Sequence, residues 1–167
     1  LDNYLKVIYS DPPFWKYLLN SLIVATSSTT LTILIATPAA YSISRMPKSI
    51  SSPFKIFFLG TALFPYVLLF LSLLQIARDY NLANNLLALS IPYSALSMPL
   101  AVLLLSAAFS DLPEELEDAA KLEGIGLINR LKLILIPLIA PATGSTAILV
   151  FLYSWNEYPI ALTWLSK

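Results

Sequence analysis

The sequence predicts an all-α membrane protein: a bundle of four transmembrane helices carrying one amphipathic helix between the third and the fourth. Three observations lead there. Of 167 residues, 57% are hydrophobic and 12% charged, against roughly 25% charged in soluble domains. Mean hydropathy is +0.75, more apolar surface than one soluble core of this size can hide, so lipid is the solvent that fits. Four stretches free of Asp, Glu, Lys and Arg are long enough to cross a bilayer, which takes about 20 apolar residues.

The first span is expected over 18–44, with a hydroxyl-rich run "TSSTTLT" and small residues Ala36, Ala40 and Ser44 at four-residue spacing. Such spacing lets helices approach closely. The second covers 56–77, the third 86–109 and the fourth 133–154, the whole forming one transmembrane domain over 1–167. Prolines at 38, 65, 92, 99, 137 and 141 fall within the spans. Each removes a backbone donor and tends to bend its helix, so a bundle of bent helices around a cavity is expected beside plain packing. Loop 45–55 holds Arg45, Lys48 and Lys55; loop 110–132 holds Lys121, Arg130 and Lys132. Lys and Arg collect in cytoplasmic loops, so both loops are assigned inside. The other side keeps Lys6, Lys16, Arg78 and Lys167, and both ends of the chain then lie outside.

The segment "PEELEDAAKLEGIG", Pro113 to Gly126, reads as an amphipathic helix of about three turns. Ser110 or Asp111 is expected to cap it and Pro113 suits its first turn. Gly124 and Gly126 stop it, Gly124 in a left-handed cap. At about 100° per residue, Glu114, Glu117, Asp118 and Lys121 share one arc, and Leu116, Ala119 and Ala120 the other. A lipid-surface helix is rich in Lys and Arg. This one is acidic, which suits a protein groove; a connector packed on its own bundle is the alternative.

The same composition excludes several classes of chemistry. The chain has no Cys and no His, so a disulfide scaffold, a Cys/His metal site, a cysteine nucleophile and a Ser-His-Asp triad are out. No catalytic residue, metal or cofactor is expected. Zero net charge argues against nucleic acid as a partner. Proton-driven pumps keep ionisable groups at membrane depth, and the four spans hold none. A sodium-coupled carrier is less firmly excluded, since unwound carbonyls can hold the ion. There is no G-x-x-x-x-G-K-[ST] phosphate loop, so work done by ATP must come from a partner.

At this point the residues resemble a known family. "LPEELEDAAKLEGIG" followed by "LILIPLIAP" is similar to the EAA loop of importer permeases that work with a binding protein and an ATPase. Asp118-Ala119-Ala120 stands at Glu-Ala-Ala, Glu123-Gly124 at Asp-Gly, and Pro137 and Pro141 at the two prolines. Asp118 replaces Glu, and Ile125 and Gly126 replace the usual Ala-Ser. "NSLIVATSSTTLTILIATPAAYSISR" and "YSWNEYPIAL" resemble the carbohydrate, maltose-permease branch. The resemblance covers roughly 20–162.

It implies a non-catalytic transmembrane subunit of an ATP-driven solute importer, with a sugar as expected solute, in the plasma (inner) membrane. The loop helix would be a coupling helix docking on the ATPase through Glu117, Asp118, Ala119, Ala120, Glu123 and Gly124. Implied partners are a second permease, two cytoplasmic ATPase subunits, an extracytoplasmic solute-binding protein and the bilayer. The family pattern has six spans, so four correspond to a permease without its first and last. Phe64, Tyr66, Tyr93 and Tyr153 could stack on a sugar, but core packing or an interfacial belt is the favoured account of aromatics of this kind, and no solute site is assigned. A non-sugar solute, a sodium-coupled carrier, a channel and a membrane scaffold stay open.

Overall fold

The computed structural model describes residues 13–165. The described residues are helical throughout, linked by short turns. In chain order the helices are α1 (Phe14–Ser44), α2 (Lys48–Ala62), α3 (Phe70–Asp79), α4 (Leu86–Ser110), α5 (Glu115–Leu122), α6 (Leu127–Arg130), α7 (Ile136–Leu138), α8 (Ala140–Asn156) and α9 (Pro159–Trp164). A tight turn, Tyr66–Leu69, precedes α3, and a widened turn, Leu131–Leu135, joins α6 to α7.

Two of these helices, α1 with 31 residues and α4 with 25, are long and apolar enough to cross a membrane. They match the first and third expected spans, and they pack along each other as the centre of the bundle. Alanine makes this possible: Ala25, Ala36 and Ala40 of α1 and Ala101 of α4 are fully buried. Around them Val102, Leu105 and Phe109 of α4 meet Ile43 of α1, Leu135, Ile139, and Val150 of α8. Lipid tails are as apolar as these side chains, so close dispersion contact rather than water exclusion holds such helices together.

Proline has opposite effects in different places. Pro38 lies within α1, and Pro92 and Pro99 within α4, without ending either helix. Pro65 does end one. A proline pushes the preceding residue out of the α region and clashes with the carbonyl four residues back. The expected second span, 56–77, is accordingly two helices: α2 closes at Leu63, and the chain restarts after Pro65 as the tight turn leading to α3. The expected fourth span is also broken. Segments Leu127–Leu138 and α8 meet at a bend of 77°, centred on Ile139. Pro141 there would clash with the carbonyl of residue 137, itself a proline. Together the pair is apolar enough to count as one bent span.

The hydroxyl run of α1 is used mainly on its own backbone. Ser27 Oγ donates to the Ile23 carbonyl at 2.6 Å, Thr29 Oγ1 to Ala25 at 2.7 Å, Thr30 Oγ1 to Thr26 at 2.8 Å and Thr32 Oγ1 to Ser28 at 2.8 Å. Back-bonding of this kind satisfies a donor that lipid cannot. Ser28 alone crosses to α8, donating to Ser154 Oγ at 2.7 Å.

At the other end of the bundle, Asn85 caps α4, its side chain accepting from the amides of Leu87 at 2.9 Å and Ala88 at 3.1 Å. Tyr93, fully buried, donates its hydroxyl to Glu157 Oε2 at 2.5 Å. The same carboxylate accepts from the amides of Ile160 and Ala161 at the start of α9.

If alanine sets the approach of α1 to α4, a larger residue must force it open. Ala36→Leu is expected to cost about 1–3 kcal/mol by overpacking, seen as a lower Tm of the purified protein in detergent. Ala36→Ser, nearly isosteric, should leave Tm close to wild type; equal Tm for both variants would mean the contact is not tight.

Candidate functional site

The loop helix α5 starts after Pro113, with Glu114 at its N-cap position and no side-chain cap. Ser110 is the last residue of α4 and Asp111 its C-cap, so neither caps α5 as expected from the sequence. The acidic first turn, Glu115, Glu117 and Asp118, suits the positive end of the helix dipole. The helix closes through Glu123 into Gly124, whose φ of +75° is the left-handed cap expected of it. The Ile125 amide then reaches back to the Ala120 carbonyl at 2.9 Å.

The two faces of α5 differ from the expected arcs. Its buried residues are Glu117 and Ala120. Asp118, Ala119, Glu123 and Gly124 are exposed. Glu117 therefore does not share the outward acidic face with Asp118: it points into the protein. Its Oε1 accepts from Arg45 Nε at 2.5 Å and its Oε2 from the Tyr41 hydroxyl at 2.7 Å. Arg130 Nε lies 3.4 Å from Oε2, an ion pair without hydrogen-bond alignment. Arg45 Nη1 also donates to the Phe109 carbonyl at 3.0 Å, in the last turn of α4, where a cation favours the helix dipole. Tyr41 stacks edge-on against Phe109 with centroids 5.5 Å apart.

This cluster is well shielded. The side chains of Glu117 and Arg130 are 5% and 9% exposed and that of Arg45 16%. Burial alone would raise the Glu117 pKa. Hydrogen bonds from Tyr41 and Arg45, with the charges of Arg45 and Arg130, outweigh it and hold the carboxyl below its ordinary value. On the outer face Lys121 donates to Asp118 at 2.7 Å. That hydrogen bond lowers the Asp118 pKa and raises that of Lys121. The pair is exposed, so it adds little to stability. A cavity of about 210 Å³ runs beside the cluster, lined by Tyr41, Arg45, Glu114, Glu117, Asp118, Lys121 and Arg130.

Beyond the acidic face stands an apolar one that the sequence arcs did not single out. Leu122 is 91% and Ile128 78% exposed, with Leu127 half-exposed between them. The arrangement presents a helix with carboxylate, ammonium and leucine side chains outward, anchored from behind by one carboxylate.

Residues 28–167 match the family described as "Binding-protein-dependent transport system inner membrane component". The chain belongs to this family. The permease is 37% identical, over all its 167 residues, to the sulfoquinovosyl glycerol transport system permease protein SmoH of Agrobacterium fabrum, covering 58% of that protein. It is 40% identical over 164 residues, 97% of its length, to the trehalose/maltose transport system permease protein MalG of Thermococcus litoralis, covering 59%. To the trehalose transport system permease protein SugB of Mycobacterium tuberculosis it is 33% identical over 166 residues, 97% of its length, again covering 59%. The permease thus spans about three-fifths of the length of these curated relatives.

Of the four aromatics considered for stacking, Tyr66 and Tyr153 meet edge-on at 6.3 Å, Tyr93 is in the core and Phe64 is exposed at the break of the second span. They form no single platform. Tyr41, Arg45 and Arg130, the partners of Glu117, were not singled out from the sequence. Arg45 and Arg130 stood there only as orientation charges, and nothing in their spacing pairs them with Glu117.

Gly124 yields a test of the loop shape. A Cβ at this position would meet no atom within 4 Å, so only the positive φ opposes substitution. Gly124→Val should therefore cost about 1–3 kcal/mol of backbone strain, and Asn, which tolerates the left-handed region, much less. Hydrogen exchange of the 119–126 amides should speed up in the Val variant and hardly change in the Asn variant. Equal protection in both would make the glycine incidental.

Proposed function

We propose that this permease is the transmembrane subunit of an ATP-driven, binding-protein-dependent importer with a sugar as its solute, and that α5 is the coupling helix through which it engages a cytoplasmic ATPase. The bent pair Leu127–Leu138 with α8, and α2 with α3, complete four passages of the bilayer alongside α1 and α4. Loops 45–55 and 110–132 lie in the cytoplasm. A second permease subunit, two ATPase subunits and an extracytoplasmic solute-binding protein complete the machine, and the chain itself catalyses nothing. The names of the relatives, which concern trehalose, maltose and sulfoquinovosyl glycerol, support a sugar or glycoside as the cargo.

One observation carries the docking reading. The helix between the apolar passages turns Asp118, Lys121 and a nearly fully exposed Leu122 outward together. An acidic face disfavours anionic lipid, and a large exposed apolar side chain disfavours water. A groove on a protein satisfies both. Asp118, Ala119, Glu123 and Gly124 form that outward surface, with Glu117 and Ala120 behind it.

Two experiments test the proposal. A cysteine at position 121, replacing Lys121, should react with an impermeant maleimide only from the cytoplasmic side of sealed vesicles; labelling of intact cells from outside would end the topology. In the assembled transporter, Asp118→Asn should lower ATPase co-purification and uptake together by about 30-fold or more, as loss of one charge from a closed interface does. Binding of solute to the separate binding protein should not change. Wild-type association and uptake in that variant would remove Asp118 from the interface.

A further inference from the structure

We infer that Glu117 is a positioning residue: by gathering Tyr41 of α1, Arg45 at the end of that helix and Arg130 of α6 on one buried carboxylate, it makes the loop helix move as one body with the first span. The inference rests on the docking role proposed for α5, but concerns what happens behind the docked face.

The carboxylate has nothing left to offer an approaching protein. Oε1 is taken by Arg45 Nε, Oε2 by the Tyr41 hydroxyl with Arg130 at ion-pair distance, and its side chain is almost fully covered. Glu117 instead joins α5 to two other helix ends at once, those of α1 and α6. Arg45 extends the link to a fourth element, through its hydrogen bond to the Phe109 carbonyl at the end of α4. Only one other residue of α5, Ala120, is buried. Among the fully covered side chains of α5, this carboxylate and a single methyl group therefore carry a force received by the helix into the bundle. Apolar contact alone would let a short helix slide, because it is non-directional. Charge-assisted hydrogen bonds fix distance and orientation. Two guanidinium groups on one carboxylate also make the acid indispensable: without it, two shielded cations face each other unpaired.

The test uses the whole transporter with its ATPase, spin-labelled at Ser42→Cys on α1 and Glu115→Cys on α5, both exposed positions. In the wild-type background the distance between labels should be narrow and the same without nucleotide and with a non-hydrolysable ATP analogue. Glu117→Gln should keep ATPase co-purification but broaden the distribution about twofold, as expected when a segment is released from its anchoring bonds. Tyr41→Phe, which removes one hydrogen bond and keeps both ion pairs, should broaden it less; it serves if Glu117→Gln fails to assemble. Distributions as narrow as wild type in whichever of these variants assembles would overturn the inference. So would loss of the ATPase from Glu117→Gln with the distance unchanged, since that places Glu117 at the partner interface. If instead the ATPase fails to co-purify even with the wild-type permease, the docking role falls, while the distance comparison in the permease alone still decides the anchor.

Discussion

The close approach of α1 to α4 is the constraint on which the remaining structure is built. Both helices are long enough to span a bilayer, and both place alanine or serine where they meet, so their backbones come near enough for dispersion to hold them without water to expel. Everything else is hung on this pair. The widened turn Leu131–Leu135 delivers Leu135 into the seam, Ile139 and Val150 close it from the side of α8, and Phe109 finishes it at the loop end. Phe109 is also where the apolar seam passes into the charged cluster, because its ring meets Tyr41 and its carbonyl accepts from Arg45.

Polar groups follow a consistent rule across the chain. In the body of the bundle, most hydroxyls return to the carbonyls of their own helix, while Ser28 crosses to Ser154 of α8 and Thr32 also reaches the Ser94 carbonyl of α4. Charged side chains stay at the ends. One end has Glu157, which receives a tyrosine hydroxyl and the first amides of α9. The other has Glu117, which receives a tyrosine hydroxyl and two guanidinium groups. At each end a carboxylate accepts a tyrosine hydroxyl from a helix distant in sequence, and so ties a short helix to a long one.

The sequence was most informative where local chemistry decides the outcome. Helices α1 and α4 were legible because unbroken apolar length leaves few alternatives, and the left-handed Gly124 because a helix end followed by glycine has one preferred geometry. Breaks were harder. Six prolines fell in the expected spans, and Pro38, Pro92 and Pro99 were absorbed while Pro65 and the Pro137–Pro141 pair were not. Neighbouring helices decide whether a freed carbonyl is tolerated, and that is tertiary information. The face of α5 was misjudged for a related reason. A helical wheel treats Glu117 as one more acid on a polar arc, because charge usually seeks water. Here Arg45 and Arg130 hold the carboxylate charged although it is shielded from water, and Arg45 lies far from Glu117 in sequence.

The elbow at Ile139 has a mechanical consequence. Two rods joined at 77° cannot pass a push along a common axis. A displacement of the arm Leu127–Leu138 along its length acts almost at right angles to α8, and so tilts that helix where a straight one would be driven lengthwise. Ile139 is buried in the α1–α4 seam, which gives the pivot a fixed seat. The geometry is that of a crank, which turns travel of the arm into rotation of α8.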